Sequence, residues 1–413
     1  MPLIRLIPAA AIFCLAVALA GAQTSQTSQS RPRGRELGIP FPGKSGPNNA
    51  ITDVTGIAVG HATIIEGDGV LVPGKGPIRT GVTAILPRPR GNWDPVFAAT
   101  FNLNGNGDMT GINWIKESGF MEGPILLTGT HSVGTVRDAA VQWQLKNGRQ
   151  FRFTYPIVAE TFDYMNDANG EHVKPAHAFQ ALDAARTGPV QEGAVGGGTG
   201  MGCNGFKGGI GTASQIVPGA GGPYTVGVLA QCNYGGDLRI LGVPILPEIN
   251  DLRSCTTLEN PPARIGGMRR CPPGGGGVTS DDLESPHERR GSIIVIVATD
   301  APLLPHQLER LGRRVSMGLG RLGSWGGNSS GDLFLAFSTA NPGAASAQGT
   351  PALKLMPNEQ MDPFFRATID ATEEAVVNAM LAAQTMTGVD GMRVFGLPGN
   401  RVVAALKKYG RMK

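Results

Sequence analysis

The sequence predicts a protein of mixed α and β structure in which helices pack on a sheet. Short β-branched runs separated by turn residues dominate the first half of the chain, and such runs are typical of strands. In the second half, a strand, an amphipathic helix, a second strand and a second helix follow one another. This order of elements indicates helices that bury their apolar faces against a sheet.

Four strands and one helix are predicted before the middle of the chain. The strands cover residues 51–60, 81–86, 95–101 and 124–128, with Gly-rich connections such as NLNGNGDMTG between them. Residues 132–146 predict a helix, because Val136, Ala139, Ala140 and Trp143 fall on one face.

The second half contains the clearest periodic pattern. The run SIIVIVAT from Ser292 predicts a buried strand, and residues 303–322 carry leucine and valine at three- and four-residue spacing, which predicts an amphipathic helix. A strand over 332–339 and a final helix from 361 to about 385 follow. The Gly-rich segment 193–211 has no Gly-Lys-Ser/Thr sequence after it, so turns that bring backbone close to a site are favoured over a phosphate loop.

The N-terminus predicts export. Residues 1–22 combine Arg5, an apolar run and the small-x-small pattern Ala20-Gly-Ala22 of a signal-peptidase site, which indicates a periplasmic or secreted protein. Residues 23–48 are polar and Pro-rich and predict a flexible arm, so ordered structure is expected to start near Asn49. No later segment has the apolar length of a membrane span, and we expect a soluble mature chain.

Charge and metal-binding patterns exclude several classes of function. The net charge of +4 comes without a basic cluster interleaved with aromatics, so a nucleic-acid partner is rejected. The six histidines are scattered and no HExxH motif is present, and we therefore expect neither a metal nor another cofactor.

Four cysteines remain after the predicted signal is removed. Cys255 and Cys271 bracket a polar, Pro/Gly-rich excursion, and a disulfide there would close a loop of about 17 residues and contribute about 3 kcal/mol. Cys203 and Cys232 lie in Gly-rich or strand-like contexts, where buried free thiols are expected.

The Gly291-Ser292 pair stands where a charged segment changes abruptly into the β-branched run. One interpretation is that Gly291 ends a loop and Ser292 begins a strand. The other is that the chain is cut at this bond, which would leave Ser292 as a new N-terminus with its hydroxyl beside its α-amine.

Nine segments in order, spread over nearly the whole mature chain, resemble one family. They include NAITDVTGIAVGHATIIEGDG, VAETFDYMND, GAVGGGTGMGCNGFKGGIGTAS, VGVLAQCNYG, GSIIVIVATDAPLLPHQLERL and NSSGDLFLAFST. The chain is similar to the L-aminopeptidase/D-esterase and β-peptidyl aminopeptidase family of self-cleaving N-terminal serine nucleophile hydrolases. The resemblance implies an α+β fold, an αββα sandwich resembling N-terminal nucleophile hydrolases with different connectivity. It also implies a homo-oligomer, built from a single catalytic domain cut into fragments 49–291 and 292–413.

The resemblance assigns a catalytic set. Ser292, freed by cleavage after Gly291, would be the nucleophile, with either its own α-amine or the pair Ser330 and Asp332 as the base. Asn233 matches the family's oxyanion-stabilising asparagine. Without the resemblance, Ser330, Asp332 and Asn233 would all be interpreted as turn residues.

The resemblance also assigns a substrate pocket. Glu160 matches the acidic group that holds the substrate's free ammonium, and Tyr164 and Phe162 would line the same pocket. Two departures bear on this pocket: the family commonly carries an extra Gly in this segment and often a Tyr where this chain has Phe162. Without the resemblance, Glu160 would be interpreted as a solvated side chain.

The predicted function is an exported aminopeptidase that removes an N-terminal residue from small peptides, amides or esters through a Ser292 acyl-enzyme. An acyltransferase of the ornithine acetyltransferase type and a non-catalytic secreted binding protein are the alternatives. The residues leave open whether the preferred N-terminal residue is an L-α-, D- or β-amino acid, and how many copies form the oligomer.

Overall fold

The computed structural model describes residues 31–219, 221–265, 267–274, 276–277 and 291–413. The predicted signal peptide, residues 23–30 of the predicted arm and the segment 278–290 before the predicted cut lie outside these residues. Residues 31–413 belong to one compact unit.

The helices and strands below are numbered in chain order. The helices are α1 Ile112–Ser118, α2 Val133–Lys146, α3 Pro175–Asp183, α4 Pro305–Arg321, α5 Asp362–Ala382 and α6 Gly399–Lys408. The strands are β1 Ala58–Glu66, β2 Ile78–Leu86, β3 Val96–Gly105, β4 Phe120–Met121, β5 Ile125–Gly129, β6 Ile157–Thr161, β7 Gly202–Cys203, β8 Phe206–Lys207, β9 Gly209–Val217, β10 Tyr224–Asn233, β11 Arg239–Ile240, β12 Val243–Pro244, β13 Cys255–Thr256, β14 Ser292–Thr299, β15 Gly331–Ser338, β16 Met386–Thr387 and β17 Met392–Val394.

Two large sheets form the centre of the described structure. One has the strand order β4-β3-β15-β14-β10-β9 and the other the order β1-β2-β5-β6. In the first sheet, β14 pairs antiparallel with β10 and parallel with β15, and in the second, β5 and β6 are parallel. The parallel pair β14 and β15 is connected through α4, as a parallel crossover requires.

Helices cover the outer faces of both sheets. Helices α4 and α5 pack on the six-stranded sheet, and α2 and α3 pack on the four-stranded sheet. One apolar layer, with Ile85 and Leu127 from one sheet and Ile294 and Leu335 from the other, fills the space between the sheets. Because two further apolar layers lie under the helices, the architecture is the predicted αββα sandwich.

The position of β14 explains its uninterrupted Ile and Val run. Ile294 and Ile296 belong to the layer between the sheets, whereas Ile293 and Val295 belong to the layer under α4 and α5. A strand that is buried on both faces needs apolar residues at every position rather than at alternate ones. Ser292 and Thr299, its first and last residues, are the polar exceptions.

The prediction of a flexible arm over residues 23–48 is wrong for residues 31–48. Ile39 and Phe41 are buried in the main core, and Arg35 forms an ion pair of 2.8 Å with the buried carboxylate of Glu374 on α5. The polar composition of this segment suggested disorder. A buried carboxylate such as that of Glu374 needs a charged partner, however, and Arg35 supplies it. This segment therefore packs with the rest of the fold.

Two further element predictions need correction. The strand predicted over 51–60 is a short 3-10 helix, Ile51–Asp53, followed by β1, because the Asp53 carboxylate accepts N–H groups of Asn48 and Ala50 and so favours a turn. Helix α5 is not the final helix, since α6 follows and buries the short apolar face of Val402 and Leu406.

The described residues also bear on membrane and metal binding. None of the described helices is both long and apolar enough to cross a membrane. Within the same residues, no group of three or more His, Cys, Asp or Glu side chains is arranged to hold a metal ion.

Candidate active site

The strand register brings the predicted nucleophile beside its predicted partners. Ser292, the first residue of β14, lies opposite Asn233, the last residue of β10. On the other side, Ile293 is in register with Asp332 at the start of β15. Residues more than 30 positions apart in sequence therefore meet at one end of three neighbouring strands.

Gly291 is required at the predicted cut by its close approach to β10. A Cβ atom at position 291 would lie 2.0 Å from the Asn233 carbonyl oxygen and 2.7 Å from the Tyr234 Cα. Any larger residue would push the Gly291–Ser292 peptide away from the strand that carries Asn233. The glycine thus lets this peptide lie directly against β10.

The hydroxyl of Ser292 is buried and held by backbone. Ser292 is 7% exposed, and its Oγ accepts a hydrogen bond of 3.0 Å from the Gly331 N–H. In the described part of the chain, this hydroxyl bonds to Gly331 and to neither Ser330 nor Asp332. The pair is nevertheless adjacent, because Gly331 is the residue between its two members.

Ser330 and Asp332 form the pair that the sequence predicted. The Ser330 hydroxyl donates a hydrogen bond of 2.5 Å to Asp332 Oδ1, and the Asn104 amide donates one of 3.2 Å to Oδ2. Burial raises the pKa of Asp332 above its ordinary value, and these two donors oppose the rise. Asp332 therefore orients the Ser330 hydroxyl, and its carboxylate can stabilise a positive charge nearby.

Two hydrogen bonds fix the orientation of the Asn233 amide. Its Oδ1 accepts the Gly202 N–H at 3.0 Å, and its Nδ2 donates to the Phe162 carbonyl at 2.8 Å. A backbone N–H requires an oxygen and a carbonyl requires an N–H, so the amide has one orientation that satisfies both. Its second Nδ2–H is available to a ligand in the cavity that Asn233 lines.

Glu160 reaches the site from the four-stranded sheet. It lies near the end of β6, in register with Thr128 of β5, and is 3% exposed. Its Oε1 accepts the Asp108 N–H at 3.0 Å, and its Oε2 accepts a bond from the Thr130 hydroxyl. Burial raises the pKa of Glu160, while Thr130 and the Asp108 N–H lower it.

One cavity of about 610 Å³ joins Ser292, Asn233 and Glu160, whereas Ser330 and Asp332 do not line it. The residues that line it are Asn106, Gly107, Asp108, Thr130, Glu160, Phe162, Tyr164, Asn233, Gly291, Ser292 and Ser329. Phe162 and Tyr164 line it as predicted, and Phe162 is 49% exposed. The cavity contains a serine hydroxyl, a side-chain amide and a buried carboxylate, which is a set suited to acyl transfer from a cationic substrate.

The expectation of free thiols at Cys203 and Cys232 is wrong, since these residues form a disulfide. The chain reverses direction at Asn204-Gly205 between β7 and β8, and Gly208 then lies close to both Cys203 and the Cys232 carbonyl at the end of β10. The disulfide joins the residues that follow Gly202 and precede Asn233. The predicted disulfide between Cys255 and Cys271 is confirmed.

Sequence reasoning missed several groups that position the predicted residues. Asp108 and Thr130 hold Glu160, Asn104 holds Asp332, and Gly202 and Gly331 contribute backbone N–H groups. The sequence offered a signal for Thr130, which closely follows the predicted strand 124–128. That strand is β5, and because β5 is parallel to β6, Thr130 lies at the same end of the sheet as Glu160. The backbone donors have no side-chain signature, and only the folded chain reveals them.

Comparisons with known proteins bear on this geometry. The profile of peptidase family S58 matches residues 49–394. A β-peptidyl aminopeptidase, BapA, from Sphingosinicella microcystinivorans is 48% identical over 406 residues, which cover 95% of this chain and 96% of that protein. The BapA of Sphingosinicella xenopeptidilytica is 43% identical over 95% of each chain.

Solved structures are similar over nearly the same length. The L-aminopeptidase D-Ala-esterase/amidase of Ochrobactrum anthropi, described as a variant of the Ntn hydrolase fold, superposes with a TM-score of 0.80. It is 42% identical, with 93% of this chain and 100% of that chain covered. A β-aminopeptidase of a Burkholderia species has a TM-score of 0.77 and 43% identity, with 92% and 99% covered.

Proposed function

Because this chain belongs to peptidase family S58, we propose that it is an exported aminopeptidase that acts through a Ser292 acyl-enzyme after self-cleavage at Gly291-Ser292. Aminopeptidase activity follows from the family and its relatives. Its substrates are small peptides, amides or esters with a free N-terminal amine. The observation that carries the proposal is the single cavity lined by Ser292, Asn233 and Glu160.

Self-cleavage uses the Ser292 hydroxyl, as the later reaction does, but the Ser292 nitrogen is still an amide and cannot be the base, so the hydroxyl proton passes towards the Ser330–Asp332 pair. The Ser292 Oγ attacks the Gly291 carbonyl carbon, the peptide C–N bond breaks, and the Gly291 acyl group moves from nitrogen to oxygen. Water then hydrolyses this ester, which leaves a carboxylate on Gly291 and a free α-amine on Ser292. The close contact of Gly291 with β10 supports this step, because it holds the peptide beside the nucleophile.

Substrate recognition starts at Glu160. Its buried carboxylate, held by Thr130 and the Asp108 N–H, binds the substrate ammonium by a charge-assisted hydrogen bond. A buried carboxylate has lost the stabilisation that water gives its charge, and a bound ammonium compensates for that loss. The free amine thus distinguishes a chain terminus from an internal peptide bond.

Acyl transfer follows at Ser292. Its hydroxyl attacks the substrate carbonyl, and the Asn233 Nδ2–H stabilises the oxyanion that forms on the carbonyl oxygen. The proton passes either to the α-amine of Ser292, with a reference pKa of about 7.7 to 8, or towards the Ser330–Asp332 pair. The leaving amine takes a proton, and water then hydrolyses the acyl-enzyme to release the N-terminal amino acid.

The relatives support a β-amino acid as the released residue. Two of them are named as β-peptidyl aminopeptidases, at 48% and 43% identity over nearly the whole chain. Export is supported by the N-terminal signal pattern and by two disulfides, which persist in oxidising compartments. A serine nucleophile and an exported location argue against the acyltransferase alternative.

The experiment compares substrates that differ at the amine alone. β-Alanyl, L-alanyl and D-alanyl p-nitroanilides are assayed beside N-acetyl-β-alanyl p-nitroanilide. We expect release of p-nitroaniline from the free amines, with β-alanyl preferred, and none from the acetylated compound. Efficient hydrolysis of the acetylated compound would make the protein a general amidase and contradict the proposal.

A further inference from the structure

A buried lysine lies behind the oxyanion residue and has no part in the mechanism above. Lys207 on β8 is fully buried, at 0% exposure. Its Nζ donates hydrogen bonds of 2.5 Å to the Met201 carbonyl and 3.0 Å to the Gly208 carbonyl. Within the described residues its Nζ pairs with these two carbonyl oxygens and with no carboxylate, and burial lowers the pKa of Lys207 to about 7.

The Met201–Gly202 peptide connects Lys207 to Asn233. At its carbonyl end this peptide accepts from the Lys207 Nζ, and at its N–H end it donates to the Asn233 Oδ1. The lysine, one peptide group and the catalytic amide therefore form a continuous chain of hydrogen bonds. In such a chain each bond polarises the next, so an Nζ–H donated to the Met201 oxygen acts on the Asn233 amide as well.

The surroundings leave this chain little room to move. The disulfide between Cys203 and Cys232 joins the residues next to Gly202 and Asn233. Gly202 itself packs closely against Tyr164. A Cβ at position 202 would lie only 2.1 Å from the Tyr164 hydroxyl oxygen. A change at Lys207 is therefore passed to the Asn233 amide rather than absorbed by the loop.

We propose that Lys207 is a positioning residue that orients and polarises the Asn233 amide through the Met201–Gly202 peptide. Electron density drawn towards the Met201 oxygen makes the Gly202 N–H a stronger donor to Oδ1. A more strongly bonded Oδ1 in turn makes the remaining Nδ2–H a stronger donor to the oxyanion. This inference rests on the proposed role of Asn233 as the oxyanion donor.

The test is a double-mutant cycle between Lys207→Met and Asn233→Ala. Methionine keeps the apolar volume of the lysine stem and removes the Nζ donor. In the wild-type background, we expect Lys207→Met to lower kcat about tenfold, which is less than the loss of the oxyanion donor itself, and to change KM less than about threefold. In the Asn233→Ala background, the same change should lower kcat by less than about twofold.

Controls keep the outcomes separate. Lys408→Met, at an exposed lysine on α6, should leave kcat unchanged. Thermal unfolding and recovery of both fragments identify a variant that fails to fold, and Lys207→Gln, which fills the site with an uncharged donor, then replaces Lys207→Met in the cycle.

Two results would overturn the inference. They are an unchanged kcat in Lys207→Met, and an equal loss of kcat in both backgrounds, which would mean that Lys207 acts independently of Asn233. An Asn233→Ala enzyme with wild-type kcat is a different result, since it would overturn the proposed role of Asn233 first.

Discussion

Asn233→Ala tests the oxyanion assignment, because the structure gives this side chain two separable roles. As a donor, Asn233 presents an Nδ2–H to the cavity, and loss of one such donor costs about 2.7–4 kcal/mol, or roughly a hundred- to a thousandfold in kcat. As an acceptor, its Oδ1 satisfies the buried Gly202 N–H, and leaving that group unpaired costs about 1–3 kcal/mol of stability. The variant should therefore lose both kcat and thermal stability.

Asn233→Asp separates the two roles. A carboxylate oxygen can still accept the Gly202 N–H, but the side chain no longer donates to an oxyanion. We expect this variant to keep the bond to Gly202 while kcat stays at least as low as in Asn233→Ala, and the Phe162 carbonyl loses its donor in both variants. KM should change little in either variant, because the donor acts on charge that develops in the transition state.

The assay uses matured protein, since self-cleavage is expected to slow as well. Both fragments of each variant are verified on a denaturing gel, and kcat and KM are measured on β-alanyl p-nitroanilide beside the unfolding midpoint. A matured Asn233→Ala enzyme with nearly wild-type kcat would remove Asn233 from the mechanism. A loss that appears entirely in KM would show that Asn233 binds the substrate rather than the transition state.

Three further predictions concern the ammonium site and the disulfides. Glu160→Gln should raise KM for free-amine substrates by roughly ten- to a hundredfold, the equivalent of a charged hydrogen bond of about 1.5–3 kcal/mol. The control Glu309→Gln, on α4, should leave KM unchanged. Equal KM values for wild type and Glu160→Gln would refute the assignment. Burial raises the pKa of Glu160, so wild-type KM should rise as the pH falls through that raised pKa, above the value of about 4.3 for an exposed Glu, and Glu160→Gln should lose this dependence. Replacing Cys255 and Cys271 by serine should lower the free energy of unfolding by about 3 kcal/mol, as denaturant titration would measure, with little effect on kcat.

Elements with a strong local pattern were predictable from the sequence. Helix α4 was predicted within two residues at its N-terminus and one at its C-terminus, because its leucines repeat at the spacing of one buried face. Strand β14 was predictable because burial on both faces requires an unbroken apolar run. The segment 31–48 was not, because its order depends on Arg35 meeting a carboxylate more than 300 residues away.

The site residues whose side chains belong to family motifs were predictable. The backbone groups and distant contacts that hold those side chains were not. Ser330 and Asp332 are two residues apart on extended chain, so their hydrogen bond follows from local geometry. The disulfide between Cys203 and Cys232 depends on the pairing of β9 with β10, which neither cysteine's local sequence encodes. The link from Lys207 to Asn233 passes through a peptide group, which has no sequence signature.

The central claim is that Ser292 becomes an N-terminal nucleophile, and N-terminal sequencing of the purified protein tests it most directly. The account predicts two fragments on a denaturing gel, of which the smaller begins Ser-Ile-Ile-Val, while Ser292→Ala stays whole. A smaller fragment that begins at any other residue, or an active wild-type enzyme that remains one chain, would contradict the account.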